Sequence, residues 1–464
     1  MTVADATPEF DTSHPSDRAF LGHPKGLGYL GFTEACERFS YYSMQTLLVL
    51  YMVKQLLLPG HVENIVGFEW LRSHVYGGLQ GQPLASAVFG TYTSLVYGTP
   101  ILGGLLADRL LGRRRTMIVG GVLMSLGHFL MAFEQSFLLA LLCLVLGVGC
   151  FKGNIASQVG GLYGPSDVRR AMAFQIFYIF INVSVIVAPL VAGTLGEKVG
   201  WHWGFGTAGV VMVLGLALYL SGRRWLPADE VRARAPGAAR PKIDRADYPA
   251  VAALILLIPV LAVALLTNQE IFNAYLVWGD AQFNKTFLGF EAPTSWLITV
   301  DATLSFAMLV AVAAFWNFRG KRHWEPDELG KMIIGSVFTV AGGLCLFAAA
   351  FFQAPGEKIS LAWPLLFHLL NSIGFAHILP ISLALFSKIA PKAINATVIG
   401  LYYLAFFAAN AIVGKVGGLY SSLPTTTFWL IHVASAALGL VAFALFKLVL
   451  GKRLETAPAS DPLT

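Results

Sequence analysis

Apolar runs of membrane-spanning length recur along the whole chain, separated by short polar stretches. About 20 consecutive apolar residues suffice to cross the hydrocarbon core as a helix. Twelve segments reach that length: 26–57, 82–110, 115–134, 136–164, 171–197, 201–222, 248–282, 293–318, 327–352, 358–390, 392–421 and 426–450. The longer ones are expected to tilt or to protrude. The stretch from Arg223 to Asp247 is basic, rich in Ala and Pro, and too polar to span. The pattern therefore predicts an all-α polytopic membrane protein with 12 transmembrane helices in two six-helix halves. In chain order it reads as a tail (1–25), a six-helix bundle (26–222), a linker (223–247), a second six-helix bundle (248–450) and a tail (451–464).

Charge sets the orientation of this pattern. Only 12% of the 464 residues are charged and 56% are hydrophobic, with a mean hydropathy of +0.66. Soluble proteins carry about twice that charged fraction. Of the 32 Lys and Arg residues, Arg38 and Lys152 lie inside spans, and only Lys54, Arg72, Lys198, Lys285, Lys358 and Lys415 fall on the side opposite the termini. The positive-inside rule then makes both termini cytoplasmic, and the expected setting is the cell inner membrane. Met1–Pro24 is polar and partly acidic, without the basic-then-apolar order of a secretory signal. The net charge of +6 is a topology signal rather than a nucleic-acid footprint. Cys36, Cys143, Cys150 and Cys345 all lie in apolar segments and read as free thiols. With no C-x-x-C pair, neither a metal nor a redox cofactor is expected.

The candidate chemistry is concentrated in E-A-C-E-R-F-S-Y-Y, Glu34 to Tyr42, inside the first span. Glu34, Glu37 and Arg38 are three and four residues apart and share one helix face. A bare charge at mid-bilayer costs from about 3 kcal/mol upward, so the three must face protein or a wet cavity. Lys152, in L-G-V-G-C-F-K-G-N, adds a second intramembrane cation. Two Glu against two cations sum to zero, and protonating either Glu frees a cation. That is the logic of a proton-coupled switch; the alternative is a structural ion-pair cluster joining two helices. Glu270 and Asp301 also lie within apolar spans and are functional-site candidates by default. For Asp301 the competing reading is a helix-end cap near the outer surface, and for His377 a satisfied core or cavity-wall residue.

Several stretches carry a resemblance. G-G-L-L-A-D-R-L-L-G-R-R-R, Gly103 to Arg115, resembles the signature loop of the major facilitator superfamily, with Asp108 as a helix-end acceptor. E-A-C-E-R-F-S-Y-Y resembles the E-x-x-E-R-F-x-Y-Y motif of the proton-dependent oligopeptide transporter (POT) family. G-V-G-C-F-K-G-N (Gly147–Asn154) and F-Y-I-F-I-N-V-S (Phe177–Ser184) are similar to that family's fourth- and fifth-helix motifs. The second half matches mainly in topology. The resemblance implies a major facilitator fold, protons as the coupling ion, and import of a small peptide by a monomer in the lipid bilayer. It also implies that Glu34 pairs with Lys152 and that Lys152 takes the peptide carboxylate. Glu37 would be the proton-linked acid beside Arg38; Tyr41, Tyr42 and Tyr97 would line the site, and Asn182 would hold the peptide backbone.

The departures fall on substrate and gate positions. Gln45 stands where the family carries an Arg, and Asn268 where its seventh-helix Glu would be, which suggests an outer amide pair in place of a charge pair; a shift of two would make Glu270 the family acid. Asp301 resembles the eighth-helix Asn, Tyr402 the eleventh-helix Trp, and Phe375 stands at the tenth-helix acid that meets the peptide amino group. Glu270 or Asp301 could replace that acid. Gly90 stands at the second-helix His of animal members, and the linker has no room for the two extra helices of many members. The function implied is a proton-coupled symporter importing di- and tripeptides. The alternative is a proton-coupled carrier of another small zwitterion or organic anion. An enzyme is disfavoured, since no H-E-x-x-H, G-x-S-x-G or Walker sequence occurs. A channel is disfavoured by the ionisable switch and the lack of a charge ring.

Overall fold

The structure is a computed structural model that describes residues 15–164, 167–227, 247–287, 289–322, 325–391 and 395–455. Most of the expected linker (228–246) and the outer parts of both tails (1–14, 456–464) lie outside the described residues. In chain order the helices are α1 (Lys25–Tyr51), α2 (Phe68–His74), α3 (Gly81–Leu106), α4 (Arg113–Leu130), α5 (Phe137–Gly160), α6 (Arg169–Ala188), α7 (Thr194–Lys198) and α8 (Trp201–Gly222). They continue as α9 (Tyr248–Ala264), α10 (Leu266–Glu270), α11 (Ala274–Gln282), α12 (Trp296–Gly320), α13 (Glu328–Phe351), α14 (Ala362–Ile389), α15 (Asn395–Tyr402), α16 (Leu404–Gly417) and α17 (Thr425–Glu455). Two short antiparallel strands, β1 (Thr286–Phe287) and β2 (Phe290–Glu291), sit between α11 and α12. This is a multi-pass helical membrane protein.

Among the described residues, eight helical stretches are long and apolar enough to cross a membrane. The other four expected spans are also helical but depart from a plain apolar run for visible reasons. Helix α1 carries Glu34, Glu37 and Arg38 in its middle. Helix α3 is dense in Gly, Ser and Thr, and α4 opens on three Arg residues. The expected span 248–282 is broken into α9, α10 and α11, with the breaks at Leu265 and at Ile271–Asn273. Wider π turns extend α1 (Met52–Leu56), α3 (Ala107–Leu111) and α6 (Pro189–Gly193). Such turns are rare and cluster where helices serve a function.

The chain folds into two compact units, Met1–Met44 with Thr99–Arg234, and Gln45–Gly98 with Ala235–Thr464. The boundary differs from the six-plus-six split, because α1 is divided after Met44 and α3 before Thr99. In the first unit, small residues let helices touch backbone to backbone, the usual means of helix association in lipid. A Cβ at Gly103 of α3 would stand 2.0 Å from the Gly149 carbonyl oxygen of α5, and one at Gly120 of α4 would stand 2.7 Å from that of Gly147. Helix α1 is seated on α8 in the same way, with Cys36 against Gly215. These contacts fix where α1 and α5 present their charged residues.

In the second unit α14 packs against α12 and α13, and α9, α16 and α17 enclose a core that includes Leu257, Leu261, Phe386, Tyr402 and Phe443, each at most 2% exposed. Helix α3 meets α16 along a seam of small residues. A Cβ at Gly90 would lie 2.4 Å from the Gly414 Cα. Ser94 Oγ donates to the Phe407 carbonyl at 3.0 Å, and Gln82 Nε2 to that of Gly417 at 2.9 Å. A histidine at Gly90 has no room, because backbone rather than a flexible side chain occupies the place of its Cβ. Gly90→His should therefore cost several kcal/mol (overpacking costs about 1–3 kcal/mol even where side chains can yield). Size-exclusion profiles and thermal unfolding in detergent should show loss of monodisperse protein, whereas Gly104→Ala, which meets nothing within 4 Å, should behave as wild type. A well-folded Gly90→His variant would contradict this packing.

Candidate functional site

In the first unit the site is built on one face of α1, where Glu34, Glu37, Arg38 and Tyr41 follow at helical spacing. Arg38 Nε donates to Glu34 Oε1 at 2.7 Å and lies 2.8 Å from Glu37 Oε2. One N–H thus serves two carboxylates, with hydrogen-bond geometry toward Glu34 and ion-pair contact toward Glu37. All three are buried, Glu37 completely. The ion pair seen at Glu34 is with Arg38 of its own helix. Lys152, on α5, lies within electrostatic reach of Glu34, Glu37 and Arg38. Its ammonium sits 5.6 Å from the centre of the Tyr41 ring, and the Arg38 guanidinium 5.9 Å from the same ring. Tyr41 is therefore an aromatic platform shared by both cations. It meets Tyr42 edge-on at 5.0 Å, and Tyr42 also packs on Phe39, Ala188 and Ala192.

Asn182 is partly buried on α6, and its Nδ2 donates to the Tyr178 carbonyl at 2.8 Å. That leaves its carbonyl oxygen for other partners. Asp108 is exposed in the π turn after α3. Gly112 follows with φ 77°, a left-handed geometry that glycine adopts without strain, and starts α4.

The second unit holds the remaining candidates. Tyr97 stacks on Phe406 at 5.0 Å. Tyr402 is 2% exposed, and its hydroxyl is engaged with Ser382 at 3.0 Å and the Leu379 carbonyl at 3.2 Å. The expected amide pair between Gln45 and Asn268 is not formed. Gln45 Oε1 is buried without a hydrogen-bond partner, and Asn268 Oδ1 accepts from the adjacent Gln269 at 3.0 Å. A charge pair lies further along both segments: Lys54 Nζ donates to Asp280 Oδ2 at 2.9 Å, while Asp280 Oδ1 accepts from Lys285 and Thr294.

The two candidate acids are held differently. Glu270 is fully buried at the broken segment; Oε1 accepts from the Ala274 backbone at 3.1 Å, and Oε2 lies 3.4 Å from His432 Nε2. The neighbouring Asn273 accepts from Ser86 at 2.8 Å and donates to the Val413 carbonyl at 3.2 Å. Asp301 Oδ1 is 2.9 Å from His368 Nδ1, and His368 Nε2 is 2.7 Å from the Tyr275 hydroxyl. Asp301 is thus tied across to α14 rather than to a helix end. His377 takes a hydrogen bond from Trp316 at 3.1 Å and bonds the Ile373 carbonyl at 2.8 Å, so both its ring nitrogens are satisfied.

Sequence reasoning passed over His368, His432, Tyr275 and Asn273. The available signal was a histidine inside each of two apolar spans, the sort of intramembrane group that marks function. Only contact geometry pairs them with Asp301 and Glu270.

The profile of the Major Facilitator Superfamily matches residues 31–414. The chain belongs to the Major Facilitator Superfamily. Within it, the chain is 29% identical to an uncharacterised transporter of Bacillus subtilis (strain 168), over 89% of this chain and 91% of the relative. It is 28% identical to the peptide transporter YePEPT of Yersinia enterocolitica, over 88% and 90%. Its fold matches the crystal structure of a peptide transporter POT in complex with sulfate, with a TM-score of 0.80 at 27% identity, over 94% and 96% of the two chains. The resemblance read from the α1, α5 and α6 motifs is borne out: the relatives include a peptide transporter, and the matching solved structure is that of a peptide transporter POT.

For a superfamily member with this cluster, removing Arg38 is more disruptive than removing either glutamate, because it strands two buried carboxylates. Taking one partner from a buried pair costs roughly 3–5 kcal/mol. Arg38→Met should lower the unfolding temperature in detergent well below that of Glu34→Gln. Equal unfolding temperatures would show that Arg38 does not hold the two acids in place.

Proposed function

We propose that this transporter is a proton-coupled symporter that imports di- and tripeptides across the cell inner membrane by alternating access, as a monomer with both termini cytoplasmic. The supporting observation is the buried Glu34–Arg38–Glu37 cluster beside Lys152. With both glutamates ionised, two anions offset two cations. A proton arriving from outside neutralises Glu37 and leaves one positive charge in excess. A peptide carboxylate then restores neutrality by binding Lys152, which is partly buried where Arg38 is buried. The charge-balanced, loaded protein is the form that crosses between outward- and inward-open states, and loss of the proton to the cytoplasm expels the anion. Each proton moved with the membrane potential contributes about 2.3 kcal/mol per 100 mV.

In this reading Tyr41 and Tyr42 of the first unit present apolar rings with polar tips to variable peptide side chains, and Tyr97 is given the same role within the second unit. Asn182 offers its carbonyl oxygen to the peptide backbone, and within the second unit the Tyr402 ring is a substrate-contact candidate fixed by its hydroxyl's bonds to Ser382 and Leu379. Gln45, Asn268 and Asp108 serve the gates. The twelve-span, six-plus-six topology and the absence of covalent chemistry belong to the same proposal, with protons as the only coupling ion. A second reading, transport of another small zwitterion or organic anion, is favoured by Phe375 at the position of an acid in similar transporters.

Two variants test the coupling in proteoliposomes. Lys152→Ala should abolish gradient-driven accumulation of dialanine, because the carboxylate loses its partner. Glu37→Gln should lose driven accumulation yet retain exchange of internal for external peptide, since it mimics the protonated acid. Near-normal accumulation by both, at equal incorporation, would make the cluster structural only.

A further inference from the structure

Ahead of α1, residues 15–24 fold back onto the first unit, against the starts of α1 and α6 and the chain that leaves α5. A single 3-10 turn, Pro15–Arg18, carries Asp17. Phe20 and His23 then exchange backbone hydrogen bonds of 3.0 and 2.8 Å across a two-residue turn, Leu21-Gly22, with φ of 50° and 80°. Such a turn needs left-handed residues at both positions. Among the described residues Leu21 is the one non-glycine with positive φ, and its side chain is 74% exposed. Burial therefore does not hold it there. A leucine keeps that conformation only where the chain on either side is fixed.

Both sides are fixed, and chiefly to α6. Arg169, the first residue of α6, donates from Nη1 to Asp17 Oδ2 at 2.9 Å and to the Asp17 carbonyl at 3.3 Å; its Nη2 and Nε donate to Asp167 at 2.8 and 3.1 Å. The guanidinium fork thus joins the segment before α1 to the residues that lead into α6. The Phe20 ring lies 6.3 Å from Phe180 of α6 and 6.4 Å from Phe32 of α1, and those two rings meet edge-on at 4.7 Å. Glycines of α1 make the room: a Cβ on Gly28 would stand 2.9 Å from the Phe20 ring, and one on Gly31 2.6 Å from that of Phe180. His23 is buried, with Nδ1 2.9 Å from the Tyr163 hydroxyl just past α5. Helix α6 has little packing of its own, since only Ala173, Phe177, Ser184 and Ala188 of its 20 residues are buried. Tyr42 of α1 packs on Ala188 at one end of it. The segment 15–24 supplies the attachment at the other end, and Asn182 lies between the two, two residues beyond Phe180.

We propose that residues 15–24 are a clasp that fixes the start of α6 on α1 and so sets the placement of Asn182 for the substrate, with Asp17, Phe20 and Arg169 as its positioning residues. This deepens the peptide-symport reading and rests on it. None of the three touches the substrate; each acts through the seating of α6.

The test combines amide hydrogen exchange in detergent with counterflow exchange of labelled dialanine in proteoliposomes. Asp17→Ala removes the acid that Arg169 holds, and Phe20→Ala removes the ring. Each should speed amide exchange over residues 169–180 about tenfold, the scale of a lost charge-assisted hydrogen bond, and leave residues 140–155 of α5 as in wild type. Each should also raise the half-saturating dialanine concentration severalfold with the maximal rate nearly unchanged, because what is lost is the placing of a contact. In an Asn182→Ala background, Asp17→Ala should add nothing further. Unchanged amide exchange in both variants would overturn the clasp. Faster amide exchange with wild-type half-saturation, or effects that add in full to those of Asn182→Ala, would mark a structural tie only and overturn the proposal as well. Asn182→Ala with wild-type half-saturation would overturn the substrate role of Asn182 and this assignment together. Wild-type protein that exchanges no dialanine would overturn the peptide reading and the assignment with it; wild-type protein that exchanges dialanine, while both clasp variants match it, overturns the assignment alone.

Discussion

Arg38 held between Glu34 and Glu37 is the constraint on which the rest of the first unit depends. Three charges in the middle of one helix would be prohibitive in hydrocarbon, and only mutual pairing in a protein interior makes them tolerable. The pairing is incomplete by design of the sequence: one guanidinium N–H faces two carboxylates at 2.7 and 2.8 Å. A second cation, Lys152, is needed for neutrality, and it comes from a different helix. The cluster is therefore both a structural bond and a charge balance that one proton can tip.

Delivering Lys152 to that place is a packing problem, and glycine solves it. The run Gly147-Val148-Gly149 lets α5 approach α3 and α4 to backbone contact. The same device recurs at Cys36 and Gly215, which hold α1 against α8. The second unit uses polar contacts more heavily. Where the expected seventh span breaks, Asn273 bonds to Ser86 and Val413, and Glu270 caps the Ala274 N–H. Backbone groups freed by a broken helix must find partners inside the protein, since lipid offers none. Of the two intramembrane candidate acids of this unit, Glu270 is completely enclosed and the Asp301 side chain keeps 10% exposure.

Much of this was legible in the sequence, and the reasons are physical. Hydrophobic length revealed the spans, because the bilayer demands it, and helical spacing placed Glu34, Glu37 and Arg38 on one face. Charge at Lys152 stood out because intramembrane cations are costly. What escaped was everything set by contacts between distant segments. Gln45 and Asn268 lay at plausible positions for an amide pair, but Gln269, a direct neighbour, takes Asn268 instead. Asp301 was visible as an intramembrane acid, whereas its partner His368 lies 67 positions away. The division of α1 and α3 between two compact units has no local signature at Met44 or Gly98. The Gly90 position read as a missing histidine; the structure explains it as a backbone crossing with Gly414.

The central claim, that a carboxylate-bearing substrate and a proton enter together through the Glu34–Glu37–Arg38–Lys152 cluster, is tested most directly by proton movement. Proteoliposomes loaded with a pH-sensitive dye, with a potassium diffusion potential negative inside, receive dialanine from outside. Internal acidification should begin on peptide addition, saturate with its concentration, and vanish in Glu37→Gln. Peptide entry with no acidification, or acidification that persists in Glu37→Gln, would contradict the account.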